Sequence, residues 1–310
     1  MQTSRALRIH SYGGPEVLQM DQVTAPRAGD GQVVVQVKAA GINGLDWKVR
    51  EGYVRDAFPL ALPSALGIEI AGVVVEAGPG TGRLKLGDRV MGPLMGVGGY
   101  ADFATVDEAK LSLTPEGLSD VAAAAVPVAA LTAWQALRAA GELEPGQSVL
   151  IHGAAGGVGG FAVQFAKAAG LKVLATASAT SRAHVASLGA DVVFDRVVER
   201  FEDQARGIDL VLDLVGGETL DRSWAVLAAD GAIVSTASPD FLGRIPAGKR
   251  GLWFQMQPDA TLLAQIAADV AAGRLRSTIA EVVDLAGVPA ALQRNMTGHA
   301  PGKIVADLTL

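Results

Sequence analysis

The hydrophobic positions change their spacing twice along the chain. Across residues 5–115, short β-type runs are punctuated by Gly, Pro and Asp at 6–10, 33–39, 70–76, 89–91 and 101–106, which predicts a small β-rich barrel. The alanine-rich segment 118–140 follows a helical period, with Ser119 as N-cap and Gly141 as stop, and predicts one helix bridging the two halves. From 148 the rhythm becomes strand, helix, strand. Apolar, β-branched runs at 148–152, 171–176, 191–194, 208–214 and 230–236 are separated by helix-length segments; a strand at 251–255 and a helix at 258–272 complete a doubly wound parallel sheet of six strands. After Gly273 strands are predicted at 281–285 and 303–308 around a helix at 289–297, a tail that returns to pair with the first domain. The expected domains are therefore 1–121, 122–274 and 275–310.

Within the second pattern, Ser148 to Gly170 reads as a dinucleotide-binding turn. Val149, Leu150 and Ile151 form a buried strand, and Gly156, Gly157 and Gly159 let a pyrophosphate approach the amides at a helix N-terminus. The spacing is Ala154-x-Gly156-x-x-Gly159, with Gly153 one place early. A glycine cluster by itself marks any tight turn before a helix. Here a second strand follows the helix directly, as a right-handed βαβ unit requires.

Composition narrows the function. Basic and acidic residues number 26 and 32, a formal net charge of −6, with no clustered basic stripe, so nucleic acid is not the expected partner. The chain has 0 cysteines, which excludes disulfides and thiolate zinc sites. No signal-peptide core opens the sequence and no apolar run is long enough for a bilayer, so a cytoplasmic location without membrane contact is expected.

Eight short stretches, in order, carry a resemblance: GPEVL at 14–18, AAGINGLDWKVREG at 39–52, GIEIAGVV at 67–74, GDRV at 87–90, ALTAWQAL at 130–137, HGAAGGVGG at 152–160, SLGAD at 187–191 and GKIV at 302–305. Together they resemble the medium-chain dehydrogenase/reductase superfamily, and within it the zinc-free quinone oxidoreductase branch. The resemblance implies an α/β protein with an N-terminal GroES-like barrel and a Rossmann domain. It also implies hydride transfer from NADPH to a quinone or an α,β-unsaturated carbonyl, in a homodimer built across the strand at 251–255. Zinc-dependent relatives carry a cysteine where this chain has Asn43 and a histidine where it has Ile68, and the four-cysteine lobe is missing between Gly87 and Tyr100. No metal is expected. The alternative is a protein that holds NADPH as a sensing or structural ligand with little turnover.

The candidate residues follow from the resemblance together with residue chemistry. Asn43 stands in the vacated ligand position, where its amide would orient an oxygen. Lys48 would reach the nicotinamide ribose or the substrate oxygen, while Asp46 reads as a turn or interdomain hydrogen bond. Tyr53 reads as an aromatic lid or a proton donor. Thr132 would face the nicotinamide, although a mid-helix threonine ordinarily back-bonds to a carbonyl. His152 reads as structural. For the cofactor, Ala155, Gly156, Gly157 and Val158 form the turn; Leu214, Ser235, Ala237 and Phe254 line later strand ends; and Lys303 closes over the cleft or guards a strand edge. No acid follows Thr176 until Asp191, and Ser178, Arg182 and Arg196 offer a hydroxyl and two cations to a 2′-phosphate, which favours NADPH over NADH. Arg182 reads as the phosphate contact ahead of Arg196, against the alternative of a solvated helix residue. Loops 44–60, 93–100 and 239–256 would line the substrate pocket.

Overall fold

The computed structural model describes residues 3–94, 96–298 and 301–310. It divides into two compact units, Met1–Val128 with Pro258–Leu310, and Ala129–Gln257.

The first unit is a β structure. Strand β1 (Thr3–Ile9) pairs antiparallel with β2 (Leu18–Thr24) and with β4 (Ser64–Ala65). The larger sheet centres on β3 (Gln32–Ile42), which pairs antiparallel with β5 (Glu69–Ala77); β5 continues to β6 (Arg89–Pro93) and β8 (Ser112–Leu113). On the other edge of β3, β7 (Phe103–Asp107) covers Gln32 to Gln36, and β16 (Lys303–Asp307) takes over at Ala39 to Ile42. The tail therefore returns to complete an edge that β7 leaves open. Beyond it, β15 (Ile279–Val283) runs parallel to β16. Helices α1 (Gly44–Arg50), α2 (Asp120–Ala124), α8 (Ala260–Ala271) and α9 (Val288–Thr297) belong to this unit. Its core joins Ile9, Val35, Ile70 and Tyr100 to Leu292 and Ile304 from the tail.

The single helix expected over 118–140 is two. Ser119 does cap α2, accepting from the Ala122 amide at 3.2 Å. Pro127 then breaks the run, because it lacks an amide hydrogen and disfavours helical geometry at Val126; α3 (Pro127–Ala136) restarts with the proline at its first position. The compact units also differ from the expected boundaries, since α8 packs on β8 and lies in the first unit rather than with the nucleotide-type sheet.

The second unit is an open parallel sheet. Strands β9 (Ser148–His152), β10 (Lys172–Ala177), β11 (Val192–Asp195), β12 (Ile208–Asp213), β13 (Leu227–Ser235) and β14 (Arg250–Trp253) stand in the order β11-β10-β9-β12-β13-β14. Helices α4 (Gly157–Ala168), α5 (Arg182–Ser187), α6 (Phe201–Gln204) and α7 (Gly217–Ser223) connect them. The chain reverses direction across the sheet between β9 and β12, and open sheets of this kind place ligands at the carboxyl ends of the strands beside that switch. Val149, Leu150 and Ile151 are fully buried, as expected of a strand covered on both faces.

The turn after β9 is tight because its backbone packs on itself. Gly153 adopts a left-handed φ of 73°, and a Cβ on Gly159 would lie 2.3 Å from the Gly153 carbonyl oxygen and 2.6 Å from the Ala154 Cα. Gly159→Ala is therefore expected to lower stability by about 1–3 kcal/mol through overpacking against backbone. Denaturant unfolding measures it. An unchanged midpoint would mean that the turn relaxes freely.

Candidate active site

In the first unit, a buried polar cluster gathers around Glu69, an acid set in the apolar run of β5 and wholly shielded from solvent. One oxygen, Oε1, accepts from the Asn43 amide nitrogen at 2.8 Å and from the Lys303 ammonium; the other, Oε2, accepts from the Val128 backbone amide at 2.7 Å. A carboxylate placed there costs several kcal/mol of solvation, and charged and neutral donors together offset that cost. The ammonium of Lys303 spends its three hydrogens inward, on Glu69, on Asn43 Oδ1 at 2.7 Å and on the Ile42 carbonyl at 3.0 Å. Gly41 leaves the room required, because a Cβ there would stand 2.3 Å from Glu69 Oε1.

This geometry revises two expectations. Lys303 is neither a gatekeeper at a strand edge nor a hand free for a nucleotide, since it is buried with every donor engaged. Asn43 likewise commits its amide to the cluster: Nδ2 donates to Glu69 and to the Gly41 carbonyl at 3.2 Å, and Oδ1 accepts from Lys303. It holds the entrance to α1 rather than offering a donor to substrate.

Beside this cluster, Asp46 and Tyr100 form a second buried pair. Asp46 Oδ2 accepts from the Asn43 backbone amide at 2.8 Å, closing the first turn of α1, and from the Tyr100 hydroxyl at 2.7 Å. Its other oxygen, Oδ1, is buried with no partner among the described residues. Burial pushes the Asp46 carboxyl up to about 7, against the hydrogen bonds from Tyr100 and Asn43 and the charge of Lys303. Burial, reinforced by Asp46, pushes the Tyr100 phenol well above its ordinary range, so it remains a donor. Further along α1, Lys48 is half-buried, its ammonium 5.7 Å from the Trp47 ring centre, and burial lowers its pKa. Tyr53 is exposed and meets Trp47 edge-on at 6.1 Å. Of the loop 93–100, Met95 lies outside the described residues.

In the second unit, Ala155, Gly156, Gly157 and Val158 stand at the carboxyl end of β9. Gly156 is the N-cap of α4 and has no side chain to cap the helix, so the first amides of α4 point outward without a protein partner. A pyrophosphate fits such a cradle, where unpartnered amides and the helix dipole both favour an anion. At the neighbouring strand ends, Asp213 is wholly buried. It accepts from the Val215 and Gly216 amides at 3.1 and 2.9 Å and from the Ser235 hydroxyl at 2.6 Å, which fixes the loop carrying Leu214. Ser235 in turn accepts from the Ala237 amide at 3.2 Å, and the half-buried Phe254 donates its amide to the Ser235 carbonyl at 2.9 Å. Thr132 lies in α3, buried, and its hydroxyl makes no hydrogen bond among the described residues, so the ordinary back-bond to a carbonyl is absent.

His152 holds the floor of the turn. Ser223 gives its hydrogen to the Thr219 carbonyl at 2.7 Å, so it must accept from His152 Nε2 at 2.8 Å, which leaves Nδ1 to accept from Thr176 at 3.0 Å. Burial, with the Arg222 charge, depresses its pKa to about 3. The ring is a neutral strut.

At the end of β10, Ser178 shares its hydroxyl with Thr180 and Ser181, each at 3.0 Å. Asp191 stands at the opposite end of the sheet, just before β11 begins, bound to Lys167 and to the Val173 amide and so at the wrong end to serve a ribose. Arg182 is half-exposed and pairs with Glu199 at 2.9 Å. Arg196 is exposed, its side chain without a hydrogen bond or ion pair among the described residues. Glu69, Tyr100, Asp213 and Glu199 escape a reading of motifs. For Glu69 and Asp213 a signal exists, an acid inside an apolar strand, which buries a charge and so demands partners.

Residues 29–116 match the alcohol dehydrogenase GroES-like domain, and 188–305 match the family described as zinc-binding dehydrogenase. The chain is 36% identical over 236 residues to quinone oxidoreductase 1 of Escherichia coli, covering 74% of this chain and 71% of that one. The chain belongs to the medium-chain dehydrogenase/reductase superfamily, with the quinone oxidoreductases. It is also 37% identical over 292 residues to erythronolide synthase EryA2 of Saccharopolyspora erythraea, covering 89% of this chain but spanning only 8% of that protein's length. Among solved structures, the quinone oxidoreductase of Coxiella burnetii superposes with a TM-score of 0.94 at 32% identity, covering 99% of this chain and 100% of that one. The Escherichia coli quinone oxidoreductase complexed with NADPH gives 0.90 at 28% (98% and 99% covered), and the CurK enoyl reductase 0.88 at 26% (99% of each). One of the matched family descriptions names zinc. In this member of the superfamily no three His, Cys, Asp or Glu side chains come together as a metal site among the described residues.

The Asp46 pair generates a pH prediction. A carboxyl whose folded pKa lies near 7 and whose unfolded pKa lies near 4 keeps its proton better when folded, so ionisation works against the fold as pH rises between those values. Stability is expected to fall across that window by up to ~1.4 kcal/mol per pH unit from this group. Asp46→Asn, which keeps the acceptor for Tyr100 and Asn43 but cannot ionise, should flatten the slope. Urea titrations at several pH values read it directly, and equal slopes in the two proteins would assign the pH dependence to other groups.

Proposed function

We propose that this oxidoreductase passes a hydride from NADPH to a quinone or to the conjugated double bond of an α,β-unsaturated carbonyl, without a metal. The observation that carries the cofactor half is the uncapped N-terminus of α4 at the sheet's switch point, combined with the absence of an acid where β10 ends. A 2′-hydroxyl of NADH would want that acid; a 2′-phosphate would not. The structural neighbour complexed with NADPH supports the same choice. The metal half rests on chemistry: the position of a ligand cysteine is Asn43, that of a ligand histidine is Ile68, and the cluster at Asn43 carries its own cation, Lys303.

When bound, NADPH supplies the hydride. The chain's residues then have to place the acceptor and deliver one proton to complete its reduction. Thr132, with a hydroxyl not spent on its own helix, is assigned to the nicotinamide side, as the resemblance implies. Lys48 is assigned to the acceptor oxygen, because an ammonium whose pKa is lowered by burial gives up its proton more readily than one in water. Tyr53 is assigned to the rim of the acceptor site. Conjugated acceptors suit this equipment, since negative charge arriving with hydride delocalises onto an oxygen that one cation can meet. The CurK enoyl reductase neighbour favours the conjugated alkene within this pair of acceptor classes.

A small panel tests the reading. NADPH oxidation is expected with quinones or enones, to be absent with simple alcohols and aldehydes, and to survive exhaustive chelation. NADPH is expected to bind about 10-fold or more tightly than NADH, the scale of a charge-assisted phosphate contact. No oxidation with any acceptor would overturn the hydride-transfer reading, and activity lost to chelation and restored by zinc would overturn the metal-free one.

We further propose a homodimer through β14, the terminal strand of the parallel sheet, whose outer edge carries unpaired backbone groups beside Leu252 and Trp253. Light scattering coupled to size exclusion is expected to give twice the chain mass of 31.7 kDa; a single-chain mass at all concentrations would end the dimer proposal.

A further inference from the structure

The loops that follow β10 and β11 lie side by side at the carboxyl ends of their strands. Ala177 faces Asp195 across the parallel pair, and the Arg196 amide donates to the Ala177 carbonyl at 2.8 Å. These loops, with the first residue of α5, hold three arginines. Arg200 is met by Glu202 at 3.0 Å and by Asp203 at 3.7 Å. Arg182 is met by Glu199 at 2.9 Å, whereas Arg196 has no acid partner among the described residues.

Glu199 is held where it stands. The buried Asp195 folds the loop by accepting from the Val197 amide at 2.9 Å through its side chain and from the Glu199 amide at 2.9 Å through its carbonyl. The Glu199 carboxylate is consequently aimed across the loop at Arg182, with 26% of its side chain exposed. Cations that bind phosphate usually stand open to it; here one of the two candidates is already neutralised.

We infer that Glu199 is a specificity-determining residue for the nucleotide, competing with the 2′-phosphate of NADPH for Arg182 and leaving Arg196 as the phosphate's standing partner. This rests on the cofactor reading above. A 2′-phosphate that recruits Arg182 has to displace a carboxylate and come to rest beside a like charge. The 2′-hydroxyl of NADH meets neither penalty. Glu199 therefore narrows the preference for NADPH without touching the cradle at α4, which both nucleotides share.

Glu199→Gln tests this, because it keeps the shape and one acceptor for Arg182 while removing the charge. Titration of each variant with NADPH and with NADH, by nicotinamide fluorescence, is expected to show NADPH binding tightened about two- to fivefold and NADH unchanged, the scale of one exposed ion pair. The gain should shrink with added salt. It should also disappear when Arg182→Ala is combined with Glu199→Gln, and in the unmutated background Arg196→Ala should cost more NADPH affinity than Arg182→Ala. Thermal unfolding of each variant establishes that it is folded. Equal shifts for the two nucleotides, or none, would overturn the assignment of Glu199. The unmutated protein separates this result from the broader reading: a preference for NADPH beside an inert Glu199→Gln sinks Glu199 alone, whereas equal affinity for both nucleotides sinks the cofactor choice and Glu199 with it.

Discussion

Glu69 is a carboxylate that never meets water, and the arrangement of the first unit answers to it. Leaving such a group unpaired costs several kcal/mol, a large share of the margin by which domains are stable. Each partner comes from a different part of the chain: Asn43 from the end of β3, Val128 from the start of α3, and Lys303 from the last strand. Satisfying one side chain thus ties together three segments that share no local sequence. The tie also fixes the mouth of α1, because Asn43 precedes that helix and Asp46 closes its first turn onto Asn43. The residues proposed to meet the acceptor, Lys48 and Tyr53, inherit their position from it.

A metal centre performs a comparable duty where it exists, since it gathers ligands from separate segments around one charge. Here the gathering charge is an ammonium from the chain itself, held by a carboxylate, an amide oxygen and a backbone carbonyl. Such a cation is fully coordinated and has no open position. It can organise the loop and soften the field of Glu69, but it offers no face to a substrate oxygen. Any polarisation of the acceptor has to come from elsewhere, which is consistent with acceptors that are already electron-poor.

Much of the architecture was legible in the sequence. The change from punctuated β runs to strand and helix alternation marked the parallel sheet, and Gly156 to Gly159 marked the tight turn into α4, because these features are local and periodic. What was not legible depends on pairing at a distance. Lys303 looks like any lysine opening a strand until β16 is laid against β3, and then it points at Asn43 and Glu69. Arg182 looks like an unpartnered cation until the loop after β11 brings Glu199 against it. Pro127 is an intermediate case, since its power to break a helix is local, yet the alanine period on both sides concealed the break. Strand β2 gave no comparable signal, and its existence follows from its pairing with β1.

The order in which these parts leave the ribosome adds a consequence. Ala129–Gln257 is one continuous segment, complete before any of Pro258–Leu310 is made, so the second unit can close while the first is still waiting. Until residue 303 emerges, β3 lacks part of an edge and Glu69 lacks its cation. Strands β1 to β8 are therefore made well before β16, the strand that secures them, and the barrel stays an open sheet until that later segment joins β3.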